Sequence, residues 1–493
     1  MYSKLTFLIL LLFSTISLGS LDVVPCNLRV TKYGQVCVCN STYCDTVPPV
    51  KNLSSGQYQI YTTSKNSLGF ASSTAAFTSL LNGTASLDIT VDNLSDTYQK
   101  IIGFGGAFTD STGINIAALP ATAQQFLLES YFGENGVEYS LARVPIGGTD
   151  FSTRAYTYCD EEDLALDKFA LAQEDYSYKL PFIKKALELR KKKQLLFFAS
   201  AWSSPGWTKS SNKVKGSGEL KTDYYDWWAK YYIKFFEAYK TNGVNFWGQS
   251  AFFLFQADHL GPTIRNSTFS DLKIIAYDDS RDLLPILKSL VLSDNDTIKY
   301  IDGVGIHWYS DFVTPKFFLN SAMTNKSEWF VLGTEACNGF IKLPVLIKAV
   351  ELGSWARGVN YINNIFDDLE HNVSGWTDWN MALSTSGGPT FIYNYVDSPI
   401  IVNTTSGEFY KQPMFYALGH FSKFLLPGSV RIATKVSSSK IRVMIFKRPD
   451  NKIAMIISND SDDILKVGIS IQGTSNTTVS IISRSINSLL INV

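Results

Sequence analysis

Strand-like and helix-like segments alternate through the middle of this chain, and that alternation restricts the fold more than any other feature of the sequence. Eight short runs of apolar and β-branched residues have the length of strands, and they occupy residues 101–108, 138–145, 195–201, 244–249, 273–277, 303–308, 329–335 and 373–379. Stretches of helical periodicity lie between them, for example at residues 175–193, 223–239, 283–292 and 343–369. Eight strands alternating with helices predict an α/β fold, a (β/α)₈ TIM barrel.

The two ends of the chain have a different texture. Residues 56–94 and 430–493 are rich in Ser, Thr, Ile and Val, alternate in polarity and show almost no helical period, which is typical of antiparallel β-structure. Because neither end alone offers enough strands for a stable pair of sheets, we expect both ends to pack together as one β-sandwich beside the barrel.

The N-terminus has the organisation of a secretory signal peptide. Lys4 precedes an apolar run at residues 5–13 and small residues that end near Ser20, and the run is too short to span a bilayer. We therefore assign residues 1–20 to a signal peptide and expect no transmembrane segment in the mature chain. Eleven N-x-[ST] sequons agree with a secretory route, at Asn40, Asn52, Asn82, Asn93, Asn266, Asn295, Asn325, Asn372, Asn403, Asn459 and Asn476.

Four of the six cysteines crowd behind this segment, at Cys26, Cys37, Cys39 and Cys44. The crowding favours local disulfides in an oxidising compartment. A zinc site is the alternative, although the spacing lacks two Cys-x-x-Cys pairs and a nearby histidine. Lys and Arg number 44, as do Asp and Glu, so no excess of positive charge draws the chain to nucleic acid or to an anionic bilayer.

Barrel enzymes carry their chemistry at the C-terminal ends of the strands. The acidic residues at those positions are Asp110, Asp150, Asp278, Asp279, Asp311, Glu335 and Asp378. Of these, Glu335 ends the seventh strand in VLGTEAC, which makes it a candidate catalytic carboxylate, with a strand-capping salt bridge as the alternative.

Aromatic residues follow several of the same strands. They include Trp202 and Trp207 in SAWSSPGW, Tyr309 beside His307 in GIHWYS, and Trp376 and Trp379 in GWTDWN. Aromatic rings at a barrel mouth can form the floor of a sugar-binding site, although core packing explains any single one of them. With four histidines and no His-Glu-x-x-His motif, a metal site is disfavoured. Catalysis by Cys159 or Cys337 would need a neighbouring histidine.

Long motifs extend this interpretation. They are CVCNSTYCD at 37–45, GFGGAFTD at 103–110, RVPIGGTDFSTRAYTY at 143–158, SAWSSPGW at 200–207, HWYSDF at 307–312, TEAC at 334–337, GWTDWN at 375–380, VDSPII at 396–401 and FYKQPMFYALGHFSKF at 409–424. In these motifs the chain resembles the lysosomal glucosylceramidases, acid β-glucosidases of glycoside hydrolase family 30, across nearly its whole mature length.

The resemblance implies a retaining β-glucosidase that cleaves glucosylceramide in membranes, with help from a saposin-type activator and without a metal or organic cofactor. It also implies a lysosomal or extracellular location, peripheral to the lysosomal membrane. Glu335 aligns with the family nucleophile, and the glucose pocket is matched by Asp110, Trp202, Trp379 and Asn394. His307 and Tyr309 match groups that orient the carboxylates, and the early cysteines match two disulfides, Cys26–Cys37 and Cys39–Cys44.

We expect four segments on this basis. Residues 1–20 are the signal peptide, and 21–49 with 381–413 form a small disulfide-containing β region. Residues 50–95 with 428–493 form the sandwich, and 96–380 with 414–427 form the catalytic barrel.

The chain departs from the family pattern at one point. A retaining glycosidase needs a protonated carboxyl group about 5 Å from the nucleophile to protonate the leaving oxygen, and the family takes it from an Asn-Glu-Pro motif after strand four. Here the sequence reads NFWGQSAFFLFQADHLGP, and the loop is shorter than the family's by on the order of twenty residues, at the end of the barrel that holds catalytic groups. Asp258 and His259 are the nearby substitutes, and residues 251–255 (AFFLF) lose their usual cover.

Three hypotheses follow. The first is a glucosylceramidase whose coding sequence lacks the segment through a misplaced exon boundary or an alternative transcript. The second is a secreted pseudoenzyme that binds glucosylated lipid without turning it over. The third keeps the enzyme class and changes the β-linked sugar.

Overall fold

The computed structural model describes residues 23–77, 85–191, 193–251, 259–290, 295–323, 326, 328–341, 348–474 and 476–492. The predicted signal peptide, Asp258, most of the segment 251–255 and the sequons at Asn82 and Asn325 lie outside these residues.

Eight parallel strands close into a barrel in chain order, which confirms the predicted fold class. The barrel strands, first to eighth, are Gly103–Ala107, Leu141–Ile146, Leu196–Ala201, Gly248–Ala251, Lys273–Ser280, Gly303–His307, Phe330–Glu335 and Val373–Asn380. The fourth strand begins later than the predicted residue 244. Its predicted start belongs to the preceding helix end, because the Val244 amide donates to the Tyr239 carbonyl.

Helices cover the outside of the barrel. The α-helices are Asp110–Ala117, Ala121–Phe132, Leu180–Arg190, Tyr225–Thr241, Gly261–Arg265, Leu284–Leu290, Asn295–Ile298, Trp355–Glu370 and Pro413–Ser422. A π-helical turn spans Asp175–Lys179, and 3₁₀ turns span Gly206–Thr208, Thr222–Tyr224, Arg281–Leu283 and Lys316–Ala322. Pro181 follows this π-helical turn and lies in the first turn of Leu180–Arg190.

The helix predicted at 343–369 is shorter than expected. It spans Trp355–Glu370, and residues 342–347 lie outside the described part of the chain. The residues just before it form a turn, in which the Ser354 amide donates to the Glu351 carbonyl and Gly353 has a φ of +85°. A positive φ suits glycine and interrupts a helix, so the helix begins after this turn.

The β-sandwich is built from both chain ends, as the sequence predicts. Its seven-stranded sheet contains, in spatial order, Ser67–Ala76, Gln57–Ser64, Ser485–Asn492, Lys452–Asn459, Arg442–Lys447, Val430–Ile432 and Thr97–Lys100. Its four-stranded sheet contains Lys435–Val436, Leu87–Val91, Leu465–Ile471 and Thr477–Ile481. Gln57–Ser64 and Ser485–Asn492 pair antiparallel along their full length, so the two ends of the chain share one core.

A third, five-stranded sheet contains Leu28–Val30, Gln35–Cys39, Glu408–Lys411, Ile400–Asn403 and Ala382–Ser384. Beside it the predicted disulfides Cys26–Cys37 and Cys39–Cys44 are formed. Both thiols of each pair are thereby used, so the zinc alternative for these cysteines is wrong. The exact domain boundaries remain predictions.

Candidate active site

Arg143 is the centre of a buried charge network at the C-terminal end of the barrel. It lies on the second strand and its side chain is 2% exposed. Its Nη1 donates to Oε2 of Glu335 at 2.6 Å, and its Nη2 donates to Oδ2 of Asp278 at 2.5 Å. One guanidinium therefore holds two carboxylates that come from the fifth and seventh strands.

Asp278 is fixed by hydrogen bonds from four neighbouring strands. Its Oδ2 also accepts from the hydroxyls of Ser200 at 2.9 Å and Ser250 at 2.6 Å, and its Oδ1 lies 3.1 Å from Nε2 of His307. The residue has a φ of +58°, and the strand register shifts between Tyr277 and Asp279. A bulge of this kind re-aims a side chain, and it turns Asp278 toward the network.

Burial opposes ionisation of Asp278, but the guanidinium of Arg143 and the hydrogen bond from His307 hold its pKa well below its usual range. Asp278 is therefore a fixed negative charge. It can orient a cation or an imidazole, and it cannot serve as a proton donor near neutral pH.

Glu335 ends the seventh strand and has both carboxylate oxygens engaged. Oε2 accepts from Arg143, and Oε1 accepts from the hydroxyl of Tyr309 at 2.7 Å. The Tyr309 phenol stays protonated because burial raises its pKa well above the usual value. These two donors orient the carboxylate, which suits a nucleophile whose geometry is set before substrate arrives.

Two tryptophans stack beside the network. The rings of Trp202 and Trp379 are nearly parallel with centroids 4.6 Å apart, and the Arg143 guanidinium lies 4.7 Å from the Trp202 ring. Trp379 is 2% exposed, whereas Trp202 is partly exposed. Trp202 therefore offers a ring to a ligand, and Trp379 supports it from within the core.

A chamber of about 1110 Å³ opens above these residues. Its lining includes Glu335, His307 and Trp202 on the barrel side and Tyr225, Trp228 and Tyr232 on the helix Tyr225–Thr241. A volume of this size accommodates a small organic ligand.

Asp110, predicted in the glucose pocket, lies in a separate buried cluster. It is 1% exposed, forms an ion pair with Lys179 at 3.3 Å and accepts from the hydroxyls of Ser152 at 2.5 Å and Tyr156 at 3.0 Å. Burial raises its pKa, and Lys179 opposes that rise. No chamber-lining residue is among these partners.

Asn394 is hydrogen-bonded to another acidic residue, Asp150. Its Nδ2 donates to Oδ2 of Asp150 at 2.8 Å. Burial, together with the negative charge of Glu335, raises the pKa of Asp150 to about 6. Asp150 is thus a carboxyl group near Glu335 that is largely protonated in an acidic compartment.

His259, one of the two substitutes considered for the family acid, lies away from the Glu335 network. The fourth strand ends at Ala251, and the next described residue, His259, has its Nδ1 2.7 Å from Asp226 and its ring against Tyr225. Asp258 lies outside the described residues. For the cysteine alternative, no described histidine is hydrogen-bonded to Cys159 or Cys337, and burial raises the pKa of Cys337 well above its usual value and that of Cys159 to about 11, which disfavours thiolate chemistry at both.

Sequence reasoning missed Arg143, Ser200 and Ser250. The signal for Arg143 was a charged residue inside the otherwise apolar strand LARVPI, since a buried arginine requires a carboxylate partner. The two serines carry no comparable signal, because small polar residues are common in strands.

A carboxylate held by an arginine and a tyrosine at the end of the seventh barrel strand, beside a tryptophan, suits a glycoside hydrolase of the TIM-barrel class, whose catalytic groups lie at this end of the barrel. Sequence comparison gives the same class. The glycosyl hydrolase family 30 TIM-barrel domain matches residues 101–253 and 252–425, and the beta sandwich domain of that family matches residues 428–489. The chain belongs to glycosyl hydrolase family 30.

Relatives agree with this assignment. The chain is 39% identical over 477 residues to the "Lysosomal acid glucosylceramidase" of Mus musculus, covering 90% of this chain and 91% of that protein. It is 40% identical over 432 residues to the "Putative glucosylceramidase 3" of Caenorhabditis elegans, covering 82% of each. The crystal structure of SrfJ from Salmonella typhimurium has the same fold, with a TM-score of 0.80, 21% identity and coverage of 89% of this chain and 100% of that one.

Proposed function

We propose that this chain is a retaining β-glucosidase whose substrate is glucosylceramide, with Glu335 as the nucleophile. The observation that carries the proposal is the position of the Glu335 carboxylate, which Arg143 and Tyr309 hold at the mouth of the barrel, facing a chamber. The relatives named as glucosylceramidases support the substrate.

Glu335 attacks the anomeric carbon of glucose and forms a glycosyl-enzyme ester as the bond to the leaving oxygen breaks. Trp202 provides a ring for the apolar face of the sugar, and Trp379 holds that ring in place. Asn394 positions Asp150 near Glu335. By its match to the family motif Asp110 is assigned to the glucose pocket, and it is held by Lys179 and Tyr156.

The family's general acid is missing from this sequence. The two matched pieces of the barrel domain meet at residues 252–253, within the stretch where the Asn-Glu-Pro loop is expected. Loss of a general acid costs a factor of roughly 10² to 10⁴, and more for a poor leaving group such as ceramide. An aryl glucoside with an activated leaving group needs little protonation and is the more sensitive probe of Glu335.

We place the protein in the secretory pathway, as a lysosomal or extracellular glycoprotein of sphingolipid metabolism that works with a saposin-type activator. No helix among the described residues is long and apolar enough to cross a membrane. Phe312, Val313 and Phe317 are exposed by 67%, 70% and 61% on the segment that follows the sixth strand, and such side chains suit contact with a lipid surface.

A second candidate function is a binding protein for glucosylated lipid that has lost turnover. The short connection after the fourth strand favours it, together with the intact Trp202 and Arg143 network. Both candidates predict ligand binding, so the distinction lies in the chemical step.

The test uses the purified secreted chain and its Glu335→Gln variant, with 2,4-dinitrophenyl β-glucoside and glucosylceramide in acidic-lipid vesicles. We expect hydrolysis of the dinitrophenyl glucoside that Glu335→Gln abolishes, and labelling of Glu335 by 2,4-dinitrophenyl 2-deoxy-2-fluoroglucoside, read by peptide mass. Binding of glucosylceramide without turnover and without labelling of Glu335 would support the second candidate function, the binding protein. Parallel assays with the dinitrophenyl xyloside and galactoside show which β-linked sugar the chain prefers.

Sequencing the transcript across codons 247–261 accompanies these assays. A transcript with an inserted Asn-Glu-Pro segment would identify an ordinary family member. Restoring that segment in the recombinant chain is expected to raise turnover of the lipid and, because the sequence AFFLF at residues 251–255 is strongly apolar, to improve secretion.

A further inference from the structure

The proposed chemistry needs a proton donor that the usual loop does not supply, and one side chain beside Glu335 has the geometry to supply it. His307 ends the sixth barrel strand, and its Cα partner across the parallel ladder is Glu335 on the seventh. Neighbouring strands lie about 4.8 Å apart, and both side chains line the same chamber. The pairing therefore places the two side chains next to each other at the barrel mouth, and the acid and the nucleophile of a retaining glycosidase flank the same bond.

His307 is oriented by a buried carboxylate. Its Nε2 lies 3.1 Å from Oδ1 of Asp278, and no described residue is hydrogen-bonded to its Nδ1. An imidazole that a carboxylate holds through one nitrogen can exchange a proton with a ligand through the other nitrogen, because the carboxylate fixes the orientation of the ring.

The pair also extends toward the place from which the family acid projects. Ser250, the residue before the end of the fourth strand, donates to Asp278 at 2.6 Å. Asp278 therefore connects the end of the fourth strand with His307, on the part of the barrel mouth where the Asn-Glu-Pro loop would begin.

The other titratable side chains that line the chamber fit the role less well. Asp278 is held ionised by Arg143. Asp279 is paired in register with Ile306 and so lies two strands from Glu335, about 10 Å away at the usual strand spacing. Glu219 and Lys209 lie on the loop after the third strand. Glu219 is exposed, and the Nζ of Lys209 donates hydrogen bonds to the Ser203 hydroxyl and to the Val214 carbonyl.

We propose that His307, held by Asp278, is the general acid and base of this chain. The inference rests on the proposed function. In the first step a carboxylate oxygen of Glu335 bonds to the anomeric carbon, the bond from that carbon to the leaving oxygen breaks, and the leaving oxygen takes the proton from Nδ1 of the His307 imidazolium. In the second step neutral His307 takes a proton from water, the water oxygen bonds to the anomeric carbon, and Glu335 leaves as a carboxylate.

The test compares the native chain with His307→Asn and with the matched control His259→Asn, whose ring is bonded to Asp226 outside the chamber lining. Substrates are 2,4-dinitrophenyl and 4-methylumbelliferyl β-glucosides, with and without sodium azide. For His307→Asn we expect kcat/KM to fall at least 100-fold on the 4-methylumbelliferyl glucoside and less than 10-fold on the dinitrophenyl glucoside. Azide should accelerate this variant and yield β-glucosyl azide, since azide attacks the glycosyl-enzyme without a base.

Native chain and His259→Asn should show no acceleration by azide. Equal leaving-group dependence in the native chain and His307→Asn, or azide acceleration of the native chain itself, would overturn the role of His307. The effect of azide on the native chain tests the role of His307 even if His307→Asn fails to fold. Labelling of Glu335 by the fluorosugar reports whether the active site of the variant is intact. Absence of Glu335-dependent turnover of the dinitrophenyl glucoside by the native chain would remove the proposed function, and this inference with it.

Discussion

Replacing Arg143 by methionine is expected to destabilise the protein strongly, and by an amount that grows with pH. The guanidinium is 2% exposed, and its partners Asp278 and Glu335 are 7% and 8% exposed. Removing one partner of a buried ion pair costs about 3–5 kcal/mol, because the other charge stays buried without compensation. Two carboxylates depend on this one cation, so we expect a loss at pH 7 of about 5 kcal/mol, the upper end of that range.

The pH dependence follows from the direction of the Asp278 shift. Its folded-state pKa is lowered, so the stability it contributes is present above its unfolded pKa of about 3.9 and is lost as pH falls through the folded value. In Arg143→Met the buried carboxylate has no cation, its pKa rises, and the variant loses stability as pH increases. The difference between native and variant should therefore be smaller at pH 4.5 than at pH 7.

Urea unfolding at the two pH values measures this difference. Arg190→Met is the matched control, since Arg190 is also buried but its partner Glu138 keeps Lys193 at 2.5 Å and Lys423 at 3.0 Å. The control should lose less stability, with little dependence on pH. A loss for Arg143→Met below about 1 kcal/mol, well under the cost of an unpaired buried charge, or one that is equal at both pH values, would refute the reasoning.

Three further predictions concern other contacts. The folded pKa of Asp150 is raised to about 6. The stability that Asp150 contributes is therefore complete below its unfolded pKa of about 3.9 and is lost as pH rises through 6. Asp150→Asn should raise the melting temperature relative to the native chain at pH 7 and not at pH 4. Ser250→Ala removes a 2.6 Å hydrogen bond to an ionised carboxylate and should cost about 1.5–3 kcal/mol in urea unfolding, and an unchanged midpoint would contradict that contact. The Cys39–Cys44 bond spans a sequence separation of five. Replacing both cysteines by serine should therefore lower the free energy of unfolding by about 2 kcal/mol, less than removal of a disulfide across a long loop. A larger loss would show that the bond does more than restrict the unfolded chain.

The barrel was predictable because most of its strands lie in compact runs of apolar and β-branched residues. All eight predicted runs overlap a barrel strand, and the deviations are at the ends, where local hydrogen bonds decide. Residue 244, for example, belongs to a helix-terminal turn, through the bond from its amide to Tyr239. The pairing of both chain ends was predictable for a related reason, since each end alternates in polarity without a partner of its own.

The partners of the site acids were not predictable from the sequence. Asp278 and Glu335 were recognised as residues at strand ends, but their common partner Arg143 comes from the second strand. Register shifts at residues 277–279 and 306–307 decide which way Asp278 and His307 point, and such shifts depend on long-range packing that no local pattern records.

The same geometry explains why the length of the connection after the fourth strand need not disturb the described site. Arg143, Ser250, Asp278, His307 and Glu335 all lie on barrel strands, whose mutual positions are fixed by the hydrogen bonds of a closed sheet. The Asn-Glu-Pro segment of the family projects from a connection instead, and connections change length at small thermodynamic cost. With the shorter connection that the sequence predicts, the proposed nucleophile Glu335 keeps its contacts with Arg143 and Tyr309. A proton donor built on the strands, as we propose for His307, is the replacement that such a barrel can offer without further rearrangement.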